Sequence, residues 1–153
     1  MSKESWLAEF YPTIAWNVKG AHEAITHSAR KWIGTLSFNM AKHNVLLRPH
    51  GGLHEISNNM LVMTFGEDTC ALCSMYLQAG CVGCPIYKNT GVSCHRSNST
   101  YATVRKMHTD LNVMKLVTAM VSQGGQVALY NHPDPLVREP RVVDDVPDLL
   151  QSG

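Results

Sequence analysis

Five cysteines fall between residues 70 and 94 and none lies elsewhere: Cys70, Cys73, Cys81, Cys84 and Cys94, spaced C-x2-C-x7-C-x2-C-x9-C. Two thiolates separated by two residues can both face one tetrahedral ion from a tight turn, and a second such pair can close the shell. A structural zinc held by four thiolates, with one cysteine to spare, is therefore the leading reading. An iron–sulfur cluster takes the same number of thiolates, and Cys84-Pro85 matches the Cys-Pro ending of bacterial ferredoxin runs, but those runs space their first three cysteines by only two residues. Redox dithiol chemistry comes third, since two C-x-x-C pairs and a fifth cysteine exceed what it requires. Cys70, Cys73, Cys81 and Cys84 make the simplest pair of knuckles. A short connection would instead exclude Cys81 and recruit Cys94, with His95 adjacent as a nitrogen donor, so all five stay candidates.

Other residues invite chemistry less strongly. Lys88, His95, Arg96, Arg105 and Lys106 form a small basic patch after the cysteines, the feature best able to contact nucleic acid. His22 and His27 are five apart and so do not share a helical face as an i, i+4 ligand pair would. His50 and His54 flank a glycine loop, and His54-Glu55 lacks the second histidine of H-E-x-x-H. A metal-dependent hydrolase or nuclease would need His50, His54 or His95 in a cleft. Ser97, Ser99 and Thr100 near His95 suggest a nucleophile, but a helix cap explains them more simply.

These residues need elements to hold them. Trp6, Leu7, Phe10 and Tyr11 lead to Pro12 and then to Ile14, Trp16 and Val18, a short helical or irregular lead-in ended by Gly20. From Ala21 to His43 apolar residues recur at steps of three and four, marking one helix with Trp32 central to its stripe, weakened at Gly34 and stopped at Asn44. Arg48-Pro49-His50-Gly51-Gly52 is a loop, and Met60 to Phe65 reads as a buried strand. Ser74 to Gln78 suits one helical turn among the bends at Gly80, Gly83, Pro85 and Gly91. Ser99 caps a second long helix whose stripe runs through Tyr101, Val104, Met107, Leu111, Met114, Val117 and Val121 to Gly124-Gly125. Trp32 and Leu111 are expected to be buried and Met107 and Met114 to pack in the core, while Lys31 and Lys115 flank the stripes as tolerant positions. The expected fold class is α-rich α+β: two long helices, a short strand region and a zinc knuckle, forming one domain over residues 1–130. Pro133, Pro135, Pro140 and Pro147, interleaved with acidic residues, make residues 131–153 an extended tail.

Composition bounds the function. Thirteen Lys and Arg against twelve Asp and Glu give a net charge of +1, with 16% charged residues, so bulk charge argues against nonspecific polyanion binding. Apolar stretches are broken before the roughly 18 to 20 residues a membrane span needs, and MSKESW lacks a basic region followed by an apolar one. The expectation is a cytoplasmic protein without membrane association, in a reducing compartment that suits thiolate–metal chemistry.

Cys70-Ala71-Leu72-Cys73, Cys81-Val82-Gly83-Cys84-Pro85-Ile86 and Thr90-Gly91-Val92-Ser93-Cys94 carry a resemblance. Their order is similar to that in a group of small uncharacterised proteins from bacteria and their phages, with C-x-L-C, C-x-x-C-P-[LI] and a glycine-preceded cysteine in succession. Lys31-Trp32 on the upstream helix is similar too. The resemblance covers residues 29–101 and implies a metal knuckle on a helical body, with no assigned activity. Taken together, the expected function is a small zinc-binding, non-catalytic interaction protein with a protein partner, phage-encoded and acting on a host or defence complex by resemblance alone. The runner-up is a zinc-finger nucleic-acid-binding regulator.

Overall fold

The computed structural model describes residues 3–48 and 51–121. Helix α1 (Lys3–Phe10) and a 3₁₀ turn (Ala15–Asn17) lead to α2 (Ala21–Ile33) and α3 (Ser37–His43). A three-stranded antiparallel sheet follows, β1 (Val45–Arg48), β2 (Gly52–Glu55) and β3 (Leu61–Met63) in spatial order β1-β2-β3. A 3₁₀ turn (Glu67–Thr69) then opens α4 (Ala71–Tyr76), which is followed by α5 (Pro85–Thr90), α6 (Thr100–Lys106) and α7 (Asp110–Val121). Helices with a small antiparallel sheet bear out the α+β class. The proposed boundary at residue 130 and the tail beyond it lie outside the described residues.

Each of the two long helices expected from periodicity is in fact two. The first breaks at Gly34-Thr35-Leu36, where Thr35 Oγ1 donates to Trp32 O at 2.7 Å and folds back on the last turn of α2. Asp110 Oδ1 then accepts from both N and Oγ of Ser37 at 2.8 and 2.9 Å, capping α3 from another part of the chain. The second breaks at Met107-His108-Thr109, where Thr109 Oγ1 accepts from Asn112 N at 3.1 Å as the local cap of α7. The break resets the helical phase. Met107 is 63% exposed rather than core, Leu111 is only half-buried, and Val113, Leu116, Val117 and Met120 form the buried face instead, with Met114 buried as expected. Ser99 does cap α6, its Oγ accepting from Ala102 N at 3.0 Å, and Asn44 ends α3 in the left-handed region.

The strand region also differs. Leu61 and its neighbour Met60 are about half exposed, at 48% and 51%, so the run is not the buried strand expected; β3 is an edge strand of the sheet. The glycine loop is a hairpin pairing Arg48 with Gly52. Gly52 has φ +88°, and a Cβ there would sit 2.4 Å from Met63 O, so glycine is what lets β3 lie against β2.

The core is one cluster. Helix α2 packs on α4 and α7, and α7 in turn on α5 and α6. Trp6, Phe10, Ile33, Leu53, Leu72 and Leu116 are fully buried in it, and Cys81 and Cys84 belong to its margin. Trp32 is buried at 3% exposure, with Phe65 at 5.0 Å and Tyr101 at 6.1 Å between ring centroids. That aromatic chain links α2 to α6 across the end of the sheet, beside the cysteines.

Candidate metal centre

Three separate segments bring the cysteines together. Cys70 ends the 3₁₀ turn before α4 and Cys73 lies on α4, Cys81 and Cys84 bracket the turn into α5, and Cys94 follows α5. All five line one cavity of about 20 Å³ with Leu72, Ile86, Tyr87, Ser93 and His95. All five thiols are free. Among the described residues no three Cys, His, Asp or Glu side chains are already gathered as they would be around a bound ion, so the cysteines share a cavity without forming a closed shell.

The local backbone treats two of these sulfurs as acceptors. Cys84 accepts N–H bonds from Ile86 and Tyr87, made possible because Pro85 starts α5 and leaves those amides unpaired in its first turn. Cys70 accepts from the backbone N–H of Cys73 and from the Ser28 hydroxyl, 3.8 Å away. Such bonds favour the charged form of the acceptor. Cys81 has φ +66°, one of three non-glycine residues in the left-handed region among the described residues; the other two are asparagines, which tolerate it. A cysteine there costs roughly 1 kcal/mol that glycine would avoid. Its backbone N–H bond to Tyr76 O at 2.9 Å holds it in place, with the side chain buried at the cavity.

The electrostatics centre on Cys70. A hydrogen bond from the Cys73 thiol holds Cys70 well below the ordinary cysteine range, with Lys31 and the backbone N–H of Cys73 adding to the effect against the opposing cost of burial. The other four are raised. Cys73 is raised by that same hydrogen bond and then by burial, and burial comes first for Cys81, Cys84 and Cys94, the last pushed up to about 12. In every case the Cys70 charge adds to the rise. One thiolate suppresses the ionisation of its neighbours, and a divalent cation would reverse that by paying the desolvation of further thiolates with direct bonds.

Lys31 is the residue that sequence reasoning misjudged. Expected to be a tolerant flanking position, it is 1% exposed, with Nζ donating to Thr69 O at 3.0 Å and lying 4.9 Å from the Phe65 ring centroid. Burial lowers its pKa, and the Cys70 charge is the first of the influences opposing that. Ser28, fully buried, also went unnoticed; its Oγ accepts from Leu72 N at 3.3 Å. A signal existed: Ala24, Ser28, Lys31 and Thr35 recur at steps of four, three and four, and all are buried.

Of the five basic candidates, His95, Arg96, Arg105 and Lys106 line one open groove with Tyr101, while Lys88 on α5 is not among its walls. Arg105 lies over the Tyr101 ring at 5.6 Å. Among the described residues the histidines do not assemble a hydrolytic site. His54 Nδ1 donates to Gly52 O at 3.1 Å, His95 is exposed at the groove, and His50 lies outside the described residues. His22 is exposed and His27 buried, as expected of residues on different faces. A Ser5–His43–Glu9 string does exist, with Ser5 Oγ 2.7 Å from Nδ1 and Nε2 donating to Glu9 Oε1 at 2.6 Å. Ser5 and Glu9 are one turn apart on α1, so the string clamps α3 to α1, and none of the cavities above reaches it.

Among the described residues no helix is long and apolar enough to cross a membrane. No protein-family model, curated protein or solved structure matches the chain.

Proposed function

We propose that this chain is a zinc–thiolate protein that works by binding another macromolecule rather than by catalysis. The observation that carries the reading is the convergence of all five thiols, from three segments, on one small cavity. Backbone N–H groups aimed at Cys70 and Cys84, together with the left-handed backbone of Cys81, support it further. Four thiolates around zinc carry two net negative charges, and the buried Lys31 ammonium offsets one of them. The ligands are Cys70, Cys73, Cys81 and Cys84. Cys94 is the spare, since it alone of the five also borders the open basic groove.

The metal would fasten α4 to the turn before α5 and fix the surface between them. Val82 is 64% exposed and Tyr87 38%, apolar side chains presented beside the cysteines, and this favours a protein partner. That the partner is a host or defence complex met by a phage-encoded protein rests on the resemblance in the cysteine motif. The basic groove favours nucleic-acid contact as a second reading.

Elemental analysis of reduced, freshly purified protein tests the metal. About one zinc per chain is expected, retained in Cys94→Ser and lost in Cys81→Ser. Iron with visible absorbance would replace zinc by a cluster. Protein carrying neither metal would end both readings.

A further inference from the structure

Beside the thiol cavity lies a larger chamber of about 280 Å³. Trp32, Phe65 and Tyr101 supply aromatic walls, and Ile86, Leu116 and Met120 supply aliphatic ones. Its size lies just under the roughly 300 to 1,000 Å³ of small-molecule pockets, and its apolar lining with a few polar groups is the usual make-up of one. The polar groups include Lys31, the exposed carboxylate of Glu67 and the thiols of Cys70, Cys73 and Cys94, which line the thiol cavity as well. Cys94, His95, Tyr101 and Arg105 border both this chamber and the basic groove, so the two meet. Along the groove stand Arg96 and Lys106, both exposed, and among the described residues no carboxylate lines it.

We propose that chamber and groove together bind one nucleotide unit, its base against the partly exposed rings of Phe65 and Tyr101 and its phosphate on Arg96, Arg105 and Lys106. A chamber walled by rings suits a flat, polarisable group, because stacking on aromatic faces tolerates any base. Two guanidinium groups and an ammonium at its mouth suit an anion with several oxygens spread in space, which guanidinium forks bind in a bidentate manner. Glu67 can accept from a ring N–H or exocyclic amine. An uncharged aromatic would leave the groove idle, and an inorganic anion would leave the chamber empty. The inference rests on the nucleic-acid reading of the basic groove and deepens it, and its chamber shares Cys70, Cys73 and Cys94 with the thiol cavity, so the metal content of the sample is part of the test. A free nucleotide and a nucleotide within a single strand present the same ring and phosphate, and the experiment separates them.

Full-length reduced protein, with its metal content measured on the same sample, is titrated calorimetrically at low salt with ADP, adenosine, pyrophosphate and a short oligo-dA. Saturable binding of ADP or of the oligonucleotide is expected, on the order of tenfold tighter than that of adenosine or pyrophosphate. Tighter binding of the oligonucleotide than of ADP assigns the strand as the source, and the reverse assigns the free nucleotide. Arg96→Ala/Lys106→Ala changes only exposed side chains, so the fold is kept, and it should weaken the phosphate-bearing ligands roughly tenfold while leaving adenosine unchanged. The proposal is overturned by no saturable binding of either nucleotide probe, by pyrophosphate binding as tightly as ADP, or by a double variant that binds like the parent.

Discussion

Replacing Gly34 with alanine sets a local gain against a tertiary loss. Gly34 follows α2 at φ −60° and ψ −17°, a conformation alanine prefers, so the backbone alone would gain roughly 1 kcal/mol. A Cβ at this position, however, would sit 2.6 Å from Phe10 Cγ, 2.7 Å from Trp6 Cζ2 and 2.8 Å from Phe10 Cβ. Neither ring can easily give way. Both are fully buried, Trp6 is tethered by its Nε1–H bond to Gly34 O at 2.9 Å, and Phe65 stands 6.1 Å from it. Overpacking of this kind costs about 3 kcal/mol at the upper end of its usual range, which leaves a net loss of roughly 2 kcal/mol. The midpoint of thermal unfolding should then fall by about 4 to 8 °C, read by circular dichroism. Truncation as Phe10→Ala removes the Cγ that the added methyl meets first and should shrink its penalty, a coupling that a double-mutant cycle measures. A Gly34→Ala variant that melts at or above the parent would show that the close approach of α1 to α2 is misplaced and the reasoning wrong.

Two further outcomes concern the buried Lys31 and the half-buried Glu9. Lys31→Met fills the same space without the charge, so stability should stay within about 2 kcal/mol of the parent or rise; removal of the proposed zinc by a chelator should quicken on the order of tenfold, as for a lost outer-shell partner. Unchanged metal retention in that variant would remove Lys31 from the centre. For Glu9, burial alone raises the carboxyl, but hydrogen bonds from His43 and Lys42 outweigh it and hold the group below its ordinary 4.5. A carboxylate depressed in the folded state contributes stability that is complete above the unfolded-state value and lost as pH falls through the lower folded-state one. Urea unfolding from neutral to acid pH should therefore lose stability below about pH 4.5 in the parent, with a flatter acid limb in Glu9→Gln; parallel curves would contradict the clamp.

Local chemistry written in the chain itself carries a good part of this description. Five cysteines in paired spacing announce a cluster of thiols, and all five do line one cavity, because their spacing depends on turns that the residues between them dictate. Ser99 as a cap and Asn44 as a left-handed stop are likewise short-range facts, settled within a few residues. Helix existence was legible for the same reason, since amphipathic periodicity is a property of a single segment. Where two helices join end to end, periodicity could not show it: one stripe appeared to run from Tyr101 to Val121, yet the Thr109 cap resets its phase and turns Met107 outward.

Long-range contacts decided the rest. Asp110, seventy-three residues on, caps α3 and so fixes the first break. Lys31 reads as a solvated charge until α4 and its 3₁₀ turn close over it, because only then do Thr69 O and the Cys70 sulfur make its burial tolerable. The basic residues between His95 and Lys106 become a groove only when α6 folds back beside the loop that carries Cys94. The aromatic chamber needs Trp32, Phe65 and Tyr101 from three parts of the chain, and no spacing in the sequence encodes their meeting. A chain specifies its turns and caps by neighbours it cannot avoid, whereas the burial of a charge or the shape of a cavity belongs to partners that only packing brings within reach.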